Sequence, residues 1–226
     1  LSALKKEVEK SHTEGTSVSA TTLKDMFDNK GKDGSAFEGE GLGDTGKNLS
    51  GKTEGLAKDD MYLILDEIAS YSGQLSSGNS AGLVERAGKG LILVNAKGQE
   101  YAQLVEKGLM GSCFYNQIVN SYLSDGKIGK DVENVAKDKD DDGNDKKYTK
   151  KQHHFDEAFG YFGVPTNWDK ASNGSFWGKY CNKRNTDLGT NSIFDDFLKG
   201  RAAIDNNVHE NQITPVKDII SKIEKV

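Results

Sequence analysis

Proline is nearly missing from this chain, with 2 in 226 residues, and cysteine is as scarce. Few prolines leave long helices free of breaks. The two cysteines, Cys113 and Cys181, close one bridge at most, which excludes a disulfide-stapled scaffold. Both sit among aromatics on predicted helices and are expected as buried free thiols. The hydrophobic fraction is low, 35%, and no run approaches the ~20 apolar residues of a membrane span. A net charge of -5 lacks the basic footprint of a nucleic-acid binder. The chain opens on Leu1 rather than Met and is expected to be a mature or trimmed piece with a truncated first helix. The missing leader therefore says nothing of location.

What is abundant is glycine, at 26 residues, and charge, at 29%. Together they suggest a helical body joined by polar, glycine-bearing loops. Apolar residues recur at helical spacing in several stretches. Leu1–Lys10 and Ser19–Asn29 predict short helices. Gly31–Gly55 is too polar to bury and reads as a surface loop. Ala57–Leu75 predicts a strong helix through Met61, Ile64, Leu65 and Ile68. Ala81–Val94 reads as a weaker, glycine-interrupted helix. Gly98–Leu123 predicts the longest, carrying Tyr101, Leu104, Val105, Leu109, Ile118 and Tyr122 on one stripe. Asp125–Lys147 is polar. Phe176–Asn185 and Ile193–Asn206 continue the helical body, and Thr214 with Pro215 predicts the start of a last helix. No alternating run argues for a strand. The expected architecture is a single all-α domain over residues 1–226, a helical bundle.

Tyr148–Pro165, YTKKQHHFDEAFGYFGVP, concentrates the chemistry. It holds His153 and His154, two of only four histidines, followed by Asp156 and Glu157. Thr149 predicts a helix cap, and Gly163 with Pro165 its end. On that helix His154 and Glu157 are three apart and His153 and Glu157 four apart, so an imidazole and a carboxylate share a face. These are the ligand types of zinc or iron, or the parts of an acid/base pair. His153, His154, Asp156 and Glu157 are the candidate metal residues, with Asp66 or Glu67 from another helix able to complete the set. The competing reading is a buried His/Glu pair satisfying each other's hydrogen bonds. Arg201, on an apolar helix face, is the expected ion-pair partner of Glu157.

Other patterns are weaker. Gly46–Thr53, GKNLSGKT, fits the phosphate-loop spelling, but SAFEGEGLGDT before it is no strand. Gly41–Gly46 matches G-x-G-x-x-G and Gly78–Gly82 matches G-x-S-x-G, both without the strand each requires. Asp138, Asp140, Asp142 and Asn144 around Gly143 spell the first half of a calcium loop. Its twelfth position is Thr149 instead of a bidentate Glu. His209-Glu210 begins H-E-x-x-H, but Ile213 holds the second His position.

The phrase HHFDEAFGYFGVP resembles the HxxE signature of imelysin-like proteins. It looks most like a related domain-of-unknown-function family of bacterial envelope lipoproteins. FWGKYCNKRN (Phe176–Asn185), FLKGRAAI (Phe197–Ile204), GLAKDDMYLILDEIASYSG (Gly55–Gly73) and GQEYAQLVEKGLMGSCFYNQIV (Gly98–Val119) resemble that family too. The resemblance covers roughly residues 50 to 205. It implies a helical bundle outside the cytoplasm, periplasmic or surface-exposed, with a lipid anchor on the missing N-terminus. It also implies a tie to iron uptake, with an unknown ligand or envelope protein as partner. Members described as peptidases imply an alternative in which Glu157 is a general base and His154 a metal ligand. The doubled histidine leaves open which of His153 and His154 matches the motif. A third reading is a structural or partner-binding bundle without a metal.

Overall fold

The computed structural model describes residues 1–31, 46–169 and 174–226. The chain divides into two compact units, Leu1–Cys113 and Phe114–Val226. Among the described residues helices dominate both, and each holds one small antiparallel hairpin.

The first unit is built from α1 (Ser2–Glu9), α2 (Ala20–Asp28), α3 (Gly55–Tyr71), the strands β1 (Gly82–Arg86) and β2 (Gly90–Val94), and α4 (Tyr101–Leu109). Ser19 caps α2 by accepting from the Thr22 amide, and Glu54 caps α3 by accepting from Ala57. Leu4, Val8, Leu23, Phe27, Leu65, Ile68, Val105 and Leu109 are all buried and form the inward faces of these helices. α2 falls near its expected bounds, whereas α3 ends at Tyr71, short of the expected Leu75, which is exposed.

Residues 81–94 are a hairpin, not the expected helix. β1 and β2 pair from Gly82 opposite Val94 to Arg86 opposite Gly90. Gly88 and Gly90 take left-handed φ of 69° and 75°, which reverses the chain where a helix would need right-handed residues. The run LILV then lies in a strand, with Leu83 and Leu93 facing the core.

The expected long helix over 98–123 changes character midway. After α4, Met110–Tyr122 winds as a π-helix, and the division between the units falls within it. The Leu123 amide still reaches back five residues to the Ile118 carbonyl. Tyr101, Val105, Leu109, Ile118 and Tyr122 are buried, as their spacing required. Cys113 and Cys181 are buried free thiols.

The second unit continues with α5 (Asp125–Ile128), β3 (Lys137–Lys139), β4 (Asp145–Thr149), α6 (Lys150–Phe162), α7 (Phe176–Lys183), α8 (Asn185–Leu188), α9 (Ile193–Asp205) and α10 (His209–Glu224). The polar segment 125–147 thus carries a second hairpin where no strand is expected. Its core is aromatic. Phe155, Phe162 and Phe197 are fully buried, with Phe197 lying 5.9 Å from Phe155 and 5.2 Å from Phe162 between ring centroids. Gly200 makes room for this packing, since a Cβ there would lie 2.6 Å from Phe155 Cζ.

The last helix starts at His209, five residues before Thr214, so Pro215 lies inside it. Proline removes one backbone bond there. Packing on α9 and the bond from Gln212 Nε2 to the Ile128 carbonyl, 2.9 Å, hold the turns on the N-terminal side. Asp196 of α9 and Lys222 of α10 form an ion pair whose side chains are 6% and 14% exposed. Removing one partner strands a buried charge, so Lys222→Ala is expected to cost about 3–5 kcal/mol in urea unfolding. The double variant Asp196→Leu/Lys222→Met should recover most of that loss. If the double variant is as weak as the single, the pair is not the source of the cost.

Candidate functional site

The His-bearing helix is fixed at both ends by its own sequence. Thr149 Oγ1 accepts from the Gln152 amide at 3.2 Å, and Gln152 Oε1 accepts from the Thr149 amide at 2.7 Å. This is the reciprocal capping box. Gly163 ends the helix at φ 90°, where an added Cβ would meet the Ser175 carbonyl oxygen at 2.8 Å. Between these ends Lys151, His154, Phe155, Ala158 and Phe162 face inward.

Neighbours on a helix project about 100° apart, so the adjacent histidines separate. His154 is buried, 7% exposed, with its ring 6.1 Å from Tyr122. Burial, followed by the Lys127 charge, holds its pKa below the ordinary 6.5, and its Nδ1 has no partner. His153 lies nearer the surface and stacks on Tyr148, with centroids 5.0 Å apart and planes 14° from parallel. Its Nε2 is 3.7 Å from Glu157 Oε1.

Glu157 also accepts a hydrogen bond from the Tyr122 hydroxyl. Burial, reinforced by that carboxylate, pushes the Tyr122 phenol up to about 12. Tyr122 stacks in turn on Tyr161 at 5.8 Å. Glu157 is thereby the meeting point of the π-helix and α6. Tyr122 was legible in the sequence only as a core residue, although its hydroxyl is what engages the motif's carboxylate.

Arg201 does not pair with Glu157. Its Nε donates to Asp156 Oδ1 at 2.7 Å, and its guanidinium also pairs with Asp205. Asp156 and Glu157 are sequence neighbours and so point to different sides of α6, and α9 presents Arg201 to the Asp156 side. Asp205 is fixed further by Gln152 Nε2, 2.7 Å away. The two outside carboxylates are engaged as well: Asp66 with Lys24 at 2.6 Å, and Glu67 with the Tyr101 hydroxyl at 2.8 Å. Among the described residues no group of three or more His, Cys, Asp or Glu side chains is placed to hold a metal ion. A zinc or non-haem iron centre needs about three protein ligands. His153 and Glu157 supply two, so the residues present do not fit such a centre on their own.

The acidic run 138–144 has a different organisation from a calcium loop. Asp138 pairs with Lys146 at 3.4 Å, and Asp145 pairs with Lys139. Asp140 Oδ1 accepts from the amides of Asp142 and Asn144, and Gly143 takes φ 83°. The Asp138 and Asp140 carboxylates are engaged in shaping the β3–β4 turn. The G-x-S-x-G match is also a turn: Ser80 Oγ accepts from the Ser77 amide just before β1. Most of the G-x-G-x-x-G match lies outside the described residues. Ile213 of the incomplete H-E-x-x-H is partly exposed on α10.

One buried cation escaped sequence reading. Lys151 is 3% exposed, and burial alone lowers its pKa. Its place on the inward face, four residues before Phe155, was the available signal.

The chain matches the model of a domain of unknown function, DUF4856, over residues 2–226. It belongs to that family. No curated protein and no solved structure matches it. The family description carries no activity, so chemistry must be argued from the side chains.

Those side chains give a pH dependence. Below about pH 6.5 the unfolded imidazole takes a proton that His154 resists. The unfolded state then binds more protons, and folded stability falls as pH drops through that range. His12 of the first unit, also lowered chiefly by burial, adds to the slope. Urea unfolding at pH 7.5 and 5.5 should show the loss shrinking, though not vanishing, in His154→Gln. An unchanged loss would contradict the assignment.

Proposed function

We propose that this DUF4856 protein is a non-enzymatic, imelysin-like module of the bacterial cell envelope, carried as a lipoprotein. In this reading its His/Glu helix is structural, and its surfaces bind a ligand or an envelope partner. One observation carries the non-catalytic part: the motif's carboxylates already have partners. Glu157 is held by Tyr122 and flanked by His153, and Asp156 is held by Arg201. A general base needs a carboxylate within reach of water or substrate, and a metal centre needs convergent ligands. The envelope placement rests on the resemblance of HHFDEAFGYFG and its companion segments to imelysin-like lipoproteins.

A second reading, metal binding in the service of iron uptake, has one observation in its favour. His153 Nε2 and Glu157 Oε1 lie 3.7 Å apart, with His153 about one-third exposed. A donor from a ligand or partner protein could complete that pair. Elemental analysis of protein purified without chelator, wild type beside Glu157→Ala, separates the two. The first reading expects substoichiometric iron and zinc in both samples and a melting temperature lowered by several degrees in the variant. Near-stoichiometric iron or zinc that disappears in the variant would overturn it for the second.

A further inference from the structure

The GKNLSGKT segment fails as a nucleotide loop, yet it lines a built cavity. Ser50–Lys52 is a single 3-10 turn, and among the described residues no strand runs into it. The cavity, about 290 Å³, lies within the first unit between that turn, the end of α2 and the start of α3. Its rims are tied together: Asn29, the left-handed residue ending α2, donates from Nδ2 to the Lys47 carbonyl at 2.8 Å.

The charges within it do not balance. Asp28 is the one carboxylate among the lining residues. It accepts from the Tyr62 hydroxyl at 2.5 Å through Oδ1 and lies 3.8 Å from Lys30 Nζ through Oδ2. Lys58, half-buried one turn before Tyr62, also lines the cavity, and no carboxylate among the described residues pairs with it. Asp59 is exposed and stands outside the lining. Two ammonium groups therefore face one carboxylate that is already engaged.

Neutral donors stand beside them. Asn48 turns its side-chain oxygen inward, accepting from the Gly51 amide at 2.6 Å and from Ser50 Oγ at 3.2 Å. Its Nδ2 makes no hydrogen bond among the described residues. A Cβ at Gly51 would lie 2.7 Å from Asn48 Oδ1, so a side chain there would displace the Asn48 amide.

We propose that this cavity binds a small phosphate-class oxyanion, with Lys58 as its principal contact and Lys30 and the Asn48 amide as supporting donors. A half-buried ammonium that no described carboxylate pairs with gains most from an anion that replaces its lost hydration. Lysine suits phosphate as a point charge. The volume sits at the small end of ligand cavities, about 300–1,000 Å³, which suits inorganic phosphate or a phosphorylated three-carbon polyol. The inference is independent of the His/Glu helix.

The test is titration of inorganic phosphate and, separately, glycerol 3-phosphate into the two-unit protein at constant ionic strength, followed by amide NMR. Wild type, Lys58→Gln, Lys58→Arg and the second-unit control Lys199→Gln are compared, each after a melting curve shows it folded. Saturable shifts at Ser50 and Gly51 are expected. Affinity should fall roughly tenfold or more in Lys58→Gln, hold within a few-fold in Lys58→Arg and stay unchanged in the control. Tighter binding of glycerol 3-phosphate would assign the site to phosphate esters, and equal binding to the free anion. Shifts that never saturate, or equal affinity in wild type and Lys58→Gln, would overturn the proposal.

Discussion

A carboxylate placed among aromatic rings must be given hydrogen-bond donors, and the second unit meets that demand at Glu157. Tyr122 supplies a hydroxyl from the π-helix, and His153 stands one turn back on the same helix. This fixes the rotation of α6. That rotation sends His154, Phe155, Ala158 and Phe162 inward and Asp156 outward to Arg201. Phe155 can then reach α9 only because Gly200 has no side chain. The aromatic core and the placement of the motif follow from one angular setting.

The same setting explains why a motif can be genuine and its chemistry differ from what its letters suggest. Histidine and carboxylate at helical spacing are ligand types, but ligation requires convergence of groups from several directions. Here the neighbouring groups are a guanidinium, an imidazole and a phenol. They complete the carboxylates' hydrogen bonds and neutralise their charge, and the outcome is a packed helix whose two acids are engaged. In the first unit the opposite holds at Lys58, a cavity-lining cation with which no carboxylate among the described residues pairs.

The sequence made the helices legible wherever caps and apolar spacing agreed. Thr149 and Gly163 bounded α6 almost to the residue, and the stripe from Tyr101 to Tyr122 was buried as its period required. It misled where glycine decided the matter. GLVERAGKGLILV carries enough apolar residues for a helix, but the left-handed φ at Gly88 and Gly90 makes it a hairpin. The start of α10 was misplaced because Thr-Pro is a good first turn in isolation, and tertiary packing extended the helix beyond it. Arg201 was matched to the wrong acid because adjacent residues share a sequence neighbourhood but not a direction. Tyr122 was missed as a polar partner because periodicity reads the ring and not the hydroxyl.

The account stands most directly on the coupling between Tyr122 and Glu157. A double-mutant cycle with Tyr122→Phe, Glu157→Gln and the pair, read by urea unfolding at neutral pH, measures it. A hydrogen bond to a charged group in a mostly buried setting predicts a favourable coupling of about 1.5–3 kcal/mol. Additive losses, with no coupling, would contradict the claim that this bond sets the helix.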